Sequence, residues 1–370
     1  MATYTEKLLI GICQKIQLQP SSYDLAEQRY NTISDTIQKD SAFNNTELRM
    51  YPQGSFRLKT TVKPLAGNEF DLDFVVELPR MAPMTPRQLY DHIYRILSTD
   101  GIHDEMIEKK SRCIRVCYAN DFHIDIMPGK SIDRVSNEII VPDRELKGWY
   151  HHSNPIGFAE WFEKQSKSNI RTILFEQRKT QFSTEPITDQ EIATHLEPLR
   201  RAVQLIKRYR DIYCDTHNTQ PVRSIIICTL MGYISSSYSS EIGIISDFCT
   251  LVNNKIKTAG DKPFEVKNPV VDEVLSEKWV EDEKVYVQFV GMMEELTKDV
   301  EKLKNSLTSV EIGFQVKKMF GESITNEVIK ETAQPISAAR TGGSLTVDSS
   351  GTLGTKAEGV TVKKNTFYGI

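Results

Sequence analysis

The sequence predicts an α/β (α+β) protein, a sheet lobe followed by a helical lobe. Three observations carry this. Between residues 48 and 143, short segments alternate apolar and polar side chains, the period of half-buried strands. From about residue 155 to 330, apolar residues recur instead at three- and four-residue steps, the period of helices. The chain has 370 residues, 39% hydrophobic and 26% charged, enough for two lobes and typical of a folded chain. The expected division is 1–160 for the sheet lobe with its N-terminal helices, 161–330 for the helical lobe and 331–370 for a flexible tail.

Taken in order, residues 3–16 read as a helix. A second begins at Ser21, with Asp24 three residues on in the manner of a capping box, and Ala26, Tyr30, Ile33 and Ile37 on one face. The segment "NNTELRMYPQGS" holds a short strand ending at Pro52, followed by a Gly54-Ser55 turn. Phe70 to Leu78 alternates: Leu72, Phe74 and Val76 on one face, Asp71, Asp73 and Val75 on the other. A helix fits Pro86 to Leu97. "RCIRVCY" (112–118) and "FHIDIMP" (122–128) read as strands joined by a hairpin-like turn at Ala119-Asn120-Asp121. "EIIVPD" (138–143) is a shorter strand. Helices are expected at 158–165, 189–213, 223–237 and 281–307. Beyond 331, Gly, Ser and Thr dominate until "NTFYGI", the composition of a flexible segment.

Composition narrows the function classes. A net charge of −4 makes no global case for a nucleic-acid or anionic-membrane binder. The longest apolar run, Ser224 to Ile234, is too short to cross a bilayer. The N-terminus has no basic n-region, so no signal peptide is expected. Six cysteines lie in apolar segments, as reduced thiols do. Cys113 and Cys117 fall ~13 Å apart along a strand, too far to bridge, and no further ligands complete a zinc site around them. A cytoplasmic protein, with no membrane partner, is expected.

The chemistry gathers in the sheet lobe. Asp71 and Asp73 share one strand face; Asp125 shares a face with His123 and Met127 on another strand. If those strands are neighbours, three carboxylates converge. They would repel one another unless a cation sat among them. Hard divalent ions take oxygen ligands and keep sites for phosphates. Two ions ~3.5–4 Å apart can activate a hydroxyl and stabilise a leaving pyrophosphate. The Gly54-Ser55 turn lets backbone approach a phosphate and adds a hydroxyl donor, with Arg57 and Lys59 near enough to compensate charge.

Gly54-Ser55, Asp71-x-Asp73 and Asp125 resemble the nucleotidyltransferases of the DNA polymerase β superfamily. "GSFRLKTTVKP", "FDLDFVVEL", "FHIDIMP", "IIVPDR", "NPIGFAEWF", "LIKRYRD" and "PVRSIIICTL" narrow this to the cGAS/DncV-like nucleotidyltransferases (CD-NTases) of bacterial anti-phage (CBASS) systems. The likeness covers about residues 20–320. It implies a polymerase β-like lobe with a mixed sheet and a C-terminal helical lobe, with a nucleotide cleft between them. It also implies a cyclic di- or trinucleotide synthase that joins nucleoside triphosphates into a second messenger and releases pyrophosphate. Its substrates would be ATP or other nucleoside triphosphates. Asp71, Asp73 and Asp125 would bind two Mg²⁺ ions, Mn²⁺ substituting; Gln53, Gly54 and Ser55 would hold the donor triphosphate, and Lys207 and Ser224 its β- and γ-phosphates. Animal relatives sense DNA through a zinc-bearing insertion whose His/Cys cluster is missing here, so no DNA-gated activation is expected. The resemblance further implies a ubiquitin-ligase-like partner conjugating the tail through Gly369, although Ile370 follows it.

Each reading has a plainer rival. Lys207 alone would mark a solvated helix face, and Ser224 a helix N-cap. His123 reads best as a structural histidine. His151 and His152 are adjacent on a strand and face opposite ways, so they form no metal pair. Trp149 and Trp161 suit the junction between lobes. Asn154 fits either a base edge or an Asn-Pro turn. For the whole chain, the alternatives are a nucleotidyltransferase acting on RNA or protein, and a non-catalytic nucleotide-binding scaffold.

Overall fold

The computed structural model describes residues 3–44, 46–65, 70–99, 106–118, 122–133, 135–146, 150–167, 182–185, 187, 190–234, 240–347, 353–354 and 359–362. Helix α1 (Tyr4–Ile16) opens on a capping box between Thr3 and Glu6. In α2 (Pro20–Gln38) the expected Ser21–Asp24 box does not form. Pro20 takes the first turn instead, where its fixed φ and missing N–H cost nothing. There follow β1 (Leu48–Pro52), the one-turn α3 (Gly54–Arg57), β2 (Phe70–Leu78), α4 (Pro86–Thr99), β3 (Ile107–Lys109) and β4 (Ile114–Tyr118). Next come β5 (Phe122–Ser131), β6 (Ile139–Val141), β7 (His151–Ser153), α5 (Pro155–Ser166) and β8 (Phe182–Thr184).

These strands form one mixed sheet in the order β3-β4-β5-β2-β1-β8, with β6 beside β5 and β7 beside β6. β2 runs parallel to β5 and antiparallel to β1, and β4 pairs antiparallel with β5. The turn expected at 119–121 lies outside the described residues, but Tyr118 pairs with Phe122 on either side of it. The alternation of β2 now has a cause. Leu72, Phe74, Val76 and Leu78 are buried in one core with Tyr30, Ile33 and Ile37 of α2 and Leu89, Tyr90 and Ile93 of α4. Each such side chain contributes about 1.5–3 kcal/mol. The opposite face is left to Asp71, Asp73, Val75 and Glu77.

The helical half comprises α6 (Pro198–His217), α7 (Ser224–Gly232), α8 (Glu241–Ala259), α9 (Glu277–Glu281), α10 (Glu283–Asn305), α11 (Ser309–Phe320) and α12 (Glu322–Gly342). A small antiparallel sheet of β9 (Thr346–Val347), β10 (Leu353–Gly354) and β11 (Val360–Thr361) ends the described chain. α6 begins at Pro198 rather than 189, again on a proline in its first turn.

The cores do not follow the expected division. Leu8, Leu9, Ile12, Cys13 and Ile16 of α1, and Phe158 and Phe162 of α5, belong to the helical core with α6, α7, α8 and α10. Conversely, β8 leaves the helical half of the chain to pair in parallel with β1. The flexible tail expected from 331 instead continues α12 to Gly342. That helix is fixed by close packing on α1: a Cβ at Gly11 would fall 2.5 Å from Val328 Cγ1. Lys15 adds ion pairs to Glu327 and Glu331 at 3.6 and 2.6 Å. Its low apolar content hid it from composition.

Candidate active site

The parallel register of β2 and β5 sets Asp73 opposite Asp125 and Asp71 opposite His123. Neighbouring strands lie about 4.8 Å apart, so the three expected carboxylates share the face turned from α2 and α4, while among the described residues no three acid, His or Cys side chains stand gathered as they would around a metal ion. Asp125 is deepest, its side chain 12% exposed, and Asp71 sits at the rim, 53% exposed. Burial, then repulsion from Asp125 and Asp71, pushes the Asp73 carboxyl up to about 8. Asp71 also rises, because lost hydration and Asp125 outweigh the attraction of Arg115.

The cation that repulsion demands is Arg115. From β4 it stands directly across the ladder from Asp125. Its Nε and Nη2 donate to the two carboxylate oxygens at 2.7 Å each, and Nη2 lies 3.4 Å from Asp71 Oδ1. Sequence reasoning missed it, although the signal was there. A turn at 119–121 that pairs 118 with 122 necessarily pairs 115 with 125.

The Gly54-Ser55 turn lies against these acids. Gln53 N donates to Asp73 O at 2.8 Å, tying the turn to β2. Gly54 adopts φ +59, and a Cβ there would overlap Asp73 Oδ2 and lie 3.2 Å from its Cγ. Glycine is required twice over, for the left-handed backbone and for the close approach. Ser55 follows it as the second residue of α3. The side chains expected to neutralise phosphate are engaged elsewhere: Arg57 pairs with Glu185 at 2.9 Å and Lys59 with Glu191 at 2.7 Å.

α6 is no solvated helix. Arg200, Gln204 and Lys207, spaced at four and three residues on one stripe, are all buried. They donate to the backbone just after the Gly-Ser turn: Arg200 to Leu58 O, Gln204 to Thr61 O at 3.1 Å and Lys207 to Thr60 O at 2.8 Å. Burial drives the Lys207 ammonium down to about 8, with Asp73 among the charges acting the other way. One turn on, Arg210 Nη1 donates to Ser224 Oγ at 2.9 Å. Ser224 is the first residue of α7 rather than its cap, which is Arg223.

Other expected residues resolve simply. His151 pairs with Glu273 at 2.8 Å and His152 with Glu138 at 2.5 Å, two separate carboxylates. Asn154 caps α5, its Oδ1 accepting from Gly157 N and its Nδ2 donating to Ser136 O, so its amide is spent. Trp161 packs on Phe158 and Tyr233 within the helical half rather than between lobes. Trp149 and Gly369 lie outside the described residues. All six cysteines are free thiols, and no helix among the described residues is long and apolar enough to cross a membrane.

Residues 4–166 match the family model of the Second Messenger Oligonucleotide or Dinucleotide Synthetase domain. The chain is 30% identical over 374 residues to a c-di-GMP synthase of Roseivirga ehrenbergii, covering 99% of this chain and 98% of that protein. It is 25% identical over 244 residues to the cyclic dinucleotide synthase CdnG of Bradyrhizobium diazoefficiens, covering 62% of this chain and 58% of the relative. The structure of that CdnG in complex with GTP superposes with a TM-score of 0.71 at 19% identity, covering 90% of this chain and all of the other. Vibrio cholerae DncV, a cyclic AMP-GMP synthase solved with a linear intermediate, superposes at 0.56 and 16% identity, covering 88% of each chain. These structural likenesses speak for a shared polymerase β-like fold. The end-to-end relative and the domain match speak for descent: the chain belongs to the cGAS/DncV-like nucleotidyltransferases, and it is a nucleotidyltransferase of the cyclic dinucleotide synthase class.

Proposed function

We propose that the chain joins two molecules of GTP and closes them into cyclic di-GMP, releasing two pyrophosphates, as a second messenger in anti-phage defence. The observation that carries the reading is the convergence of Asp71, Asp73 and Asp125 beside the Gly54-Ser55 turn. Support for guanine comes from the relative matched end to end, a c-di-GMP synthase. The donor set suits magnesium: three hard oxygen ligands, one of them a buried carboxyl that ionises only reluctantly without a cation. Asp71 and Asp73 would hold both ions and Asp125 the one on the acceptor side. Bound there, two Mg²⁺ (or Mn²⁺) would acidify the acceptor hydroxyl and offset charge at the leaving pyrophosphate.

The chain's own residues do the positioning. Gly54 lets backbone N–H groups approach the donor phosphates, and Ser55 donates its hydroxyl to them. Lys207 and Ser224 reach the β- and γ-phosphates. An arriving anion favours the charged ammonium of Lys207, which burial alone disfavours. The acceptor oxygen attacks the α-phosphorus, the bond to pyrophosphate breaks, and the linear product repeats the step on its own triphosphate.

The test is incubation of the full chain with all four ribonucleoside triphosphates and Mg²⁺ or Mn²⁺. Mass spectrometry and nuclease digestion should identify a phosphatase-resistant cyclic dinucleotide of two guanosines, absent with Asp71→Ala/Asp73→Ala. Label transferred to RNA or protein instead of a small product would favour a tailing or adenylating enzyme. A cyclic product of other bases would overturn the guanine assignment alone.

A further inference from the structure

We infer that Arg115 is the resident counter-ion of the carboxylate triad: it holds the metal-free site together and competes with a divalent ion for Asp125. This rests on the metal-site reading proposed above. Both oxygens of Asp125 accept from the guanidinium fork at 2.7 Å, the geometry of a strong bidentate pair. The same guanidinium lies 3.4 Å from Asp71, and its charge also reaches Asp73. One side chain therefore serves the whole triad. Other cations near the site are committed elsewhere: Arg57 and Lys59 to Glu185 and Glu191, Lys207 to Thr60 O.

A carboxylate whose two oxygens both accept from the fork has a lone pair on each taken, so an arriving metal must share the group with the guanidinium or displace it. Arg115 and the ion thus compete for Asp125, and the competition is settled by side-chain movement alone. β4 is pinned between β3 and β5, while the Arg115 side chain is 23% exposed and so opens towards solvent. Arg115 is accordingly a positioning residue. It prevents mutual repulsion from splaying the acids before metal arrives, at the cost of weaker metal binding. By linkage, whatever it adds to the metal-free fold and not to the loaded one is subtracted from metal affinity.

The experiment is calorimetric titration of the nucleotide-free full chain with Mn²⁺, alongside melting temperatures in EDTA and in saturating Mn²⁺. Arg115→Met should bind Mn²⁺ about tenfold more tightly, equivalent to about 1.4 kcal/mol. It should melt lower than wild type in EDTA and close that gap when loaded. Arg115→Lys, which keeps the charge but not the fork, should bind about threefold more tightly. Unchanged or weaker Mn²⁺ binding, or the same melting loss in both states, would overturn the inference and make Arg115 a simple strand brace. Should Arg115→Met fail to fold, the lysine variant carries the same comparison. Asp73→Asn separates the two readings. If it binds Mn²⁺ like wild type, the metal site itself is wrong. If it binds weakly while the Arg115 variants match wild type, only the counter-ion role is lost.

Discussion

Asp73→Asn should stabilise the metal-free protein while abolishing its activity, and the stabilisation should depend on pH in one direction. The wild-type carboxyl moves from the ordinary 3.8 to about 8 on folding. Between those values the folded state holds a proton that the unfolded state has lost, so raising pH favours unfolding. At about 1.36 kcal/mol per pH unit the penalty reaches a ceiling of about 6 kcal/mol above pH 8. Local relaxation and water entry reduce this to about 1–3 kcal/mol, the range for an incompletely partnered buried group. Asn mimics the protonated acid and titrates nowhere. In EDTA the two proteins should therefore melt together only below about pH 4, where the carboxyl is protonated in both states. The variant should melt about 2–4 °C higher by pH 8.5, since 1 kcal/mol moves a chain of this length by only about 1–2 °C. Saturating Mn²⁺ should reverse the order, because only the wild type gains from the ion. A gap that is absent at every pH, or a variant lower by the same amount throughout, would refute the account of a costly buried charge.

Three further outcomes follow from the same geometry. Gly54→Ala should cost about 1–2 kcal/mol for its left-handed backbone alone and should push Asp73 off its position; product formation should drop at least about tenfold, read by thin-layer chromatography of labelled GTP. Lys207→Met should shift the ligand-free melting temperature little, because relief of a buried ammonium offsets the donor lost to Thr60 O. It should weaken GTP binding by about 10–100-fold, the worth of a hydrogen bond to a charged group, measured by equilibrium dialysis. Gln204→Leu should leave the Thr61 carbonyl without its buried donor and lower stability by about 1–3 kcal/mol, seen in urea titration.

Much of the site was legible because its chemistry rides on strand period. Alternation in "FDLDFVVEL" and "FHIDIMP" fixed which acids share a face, and the parallel ladder then set Asp73 beside Asp125. What stayed hidden was set by tertiary packing. Arg57 and Lys59 look available for phosphate until Glu185 and Glu191, more than a hundred residues away, arrive beside them. α6 reads as a polar surface helix because Arg, Gln and Lys are among its buried side chains, donating to backbone oxygens and acids that no local pattern announces. Likewise α1 lies early in the chain yet packs on α6, α11 and α12, so sequence position misassigned it.

The stripe of Arg200, Gln204 and Lys207 along α6 has a mechanical corollary. Three bonds to the carbonyls of Leu58, Thr60 and Thr61 weld the segment after the Gly-Ser turn to the centre of the helical bundle. If a triphosphate lies on this segment as proposed, the floor beneath it is common property of both halves, and breathing between them would pivot about that weld. Substrate entry and product exit would then depend on travel away from that weld, with the phosphate end serving as the fulcrum.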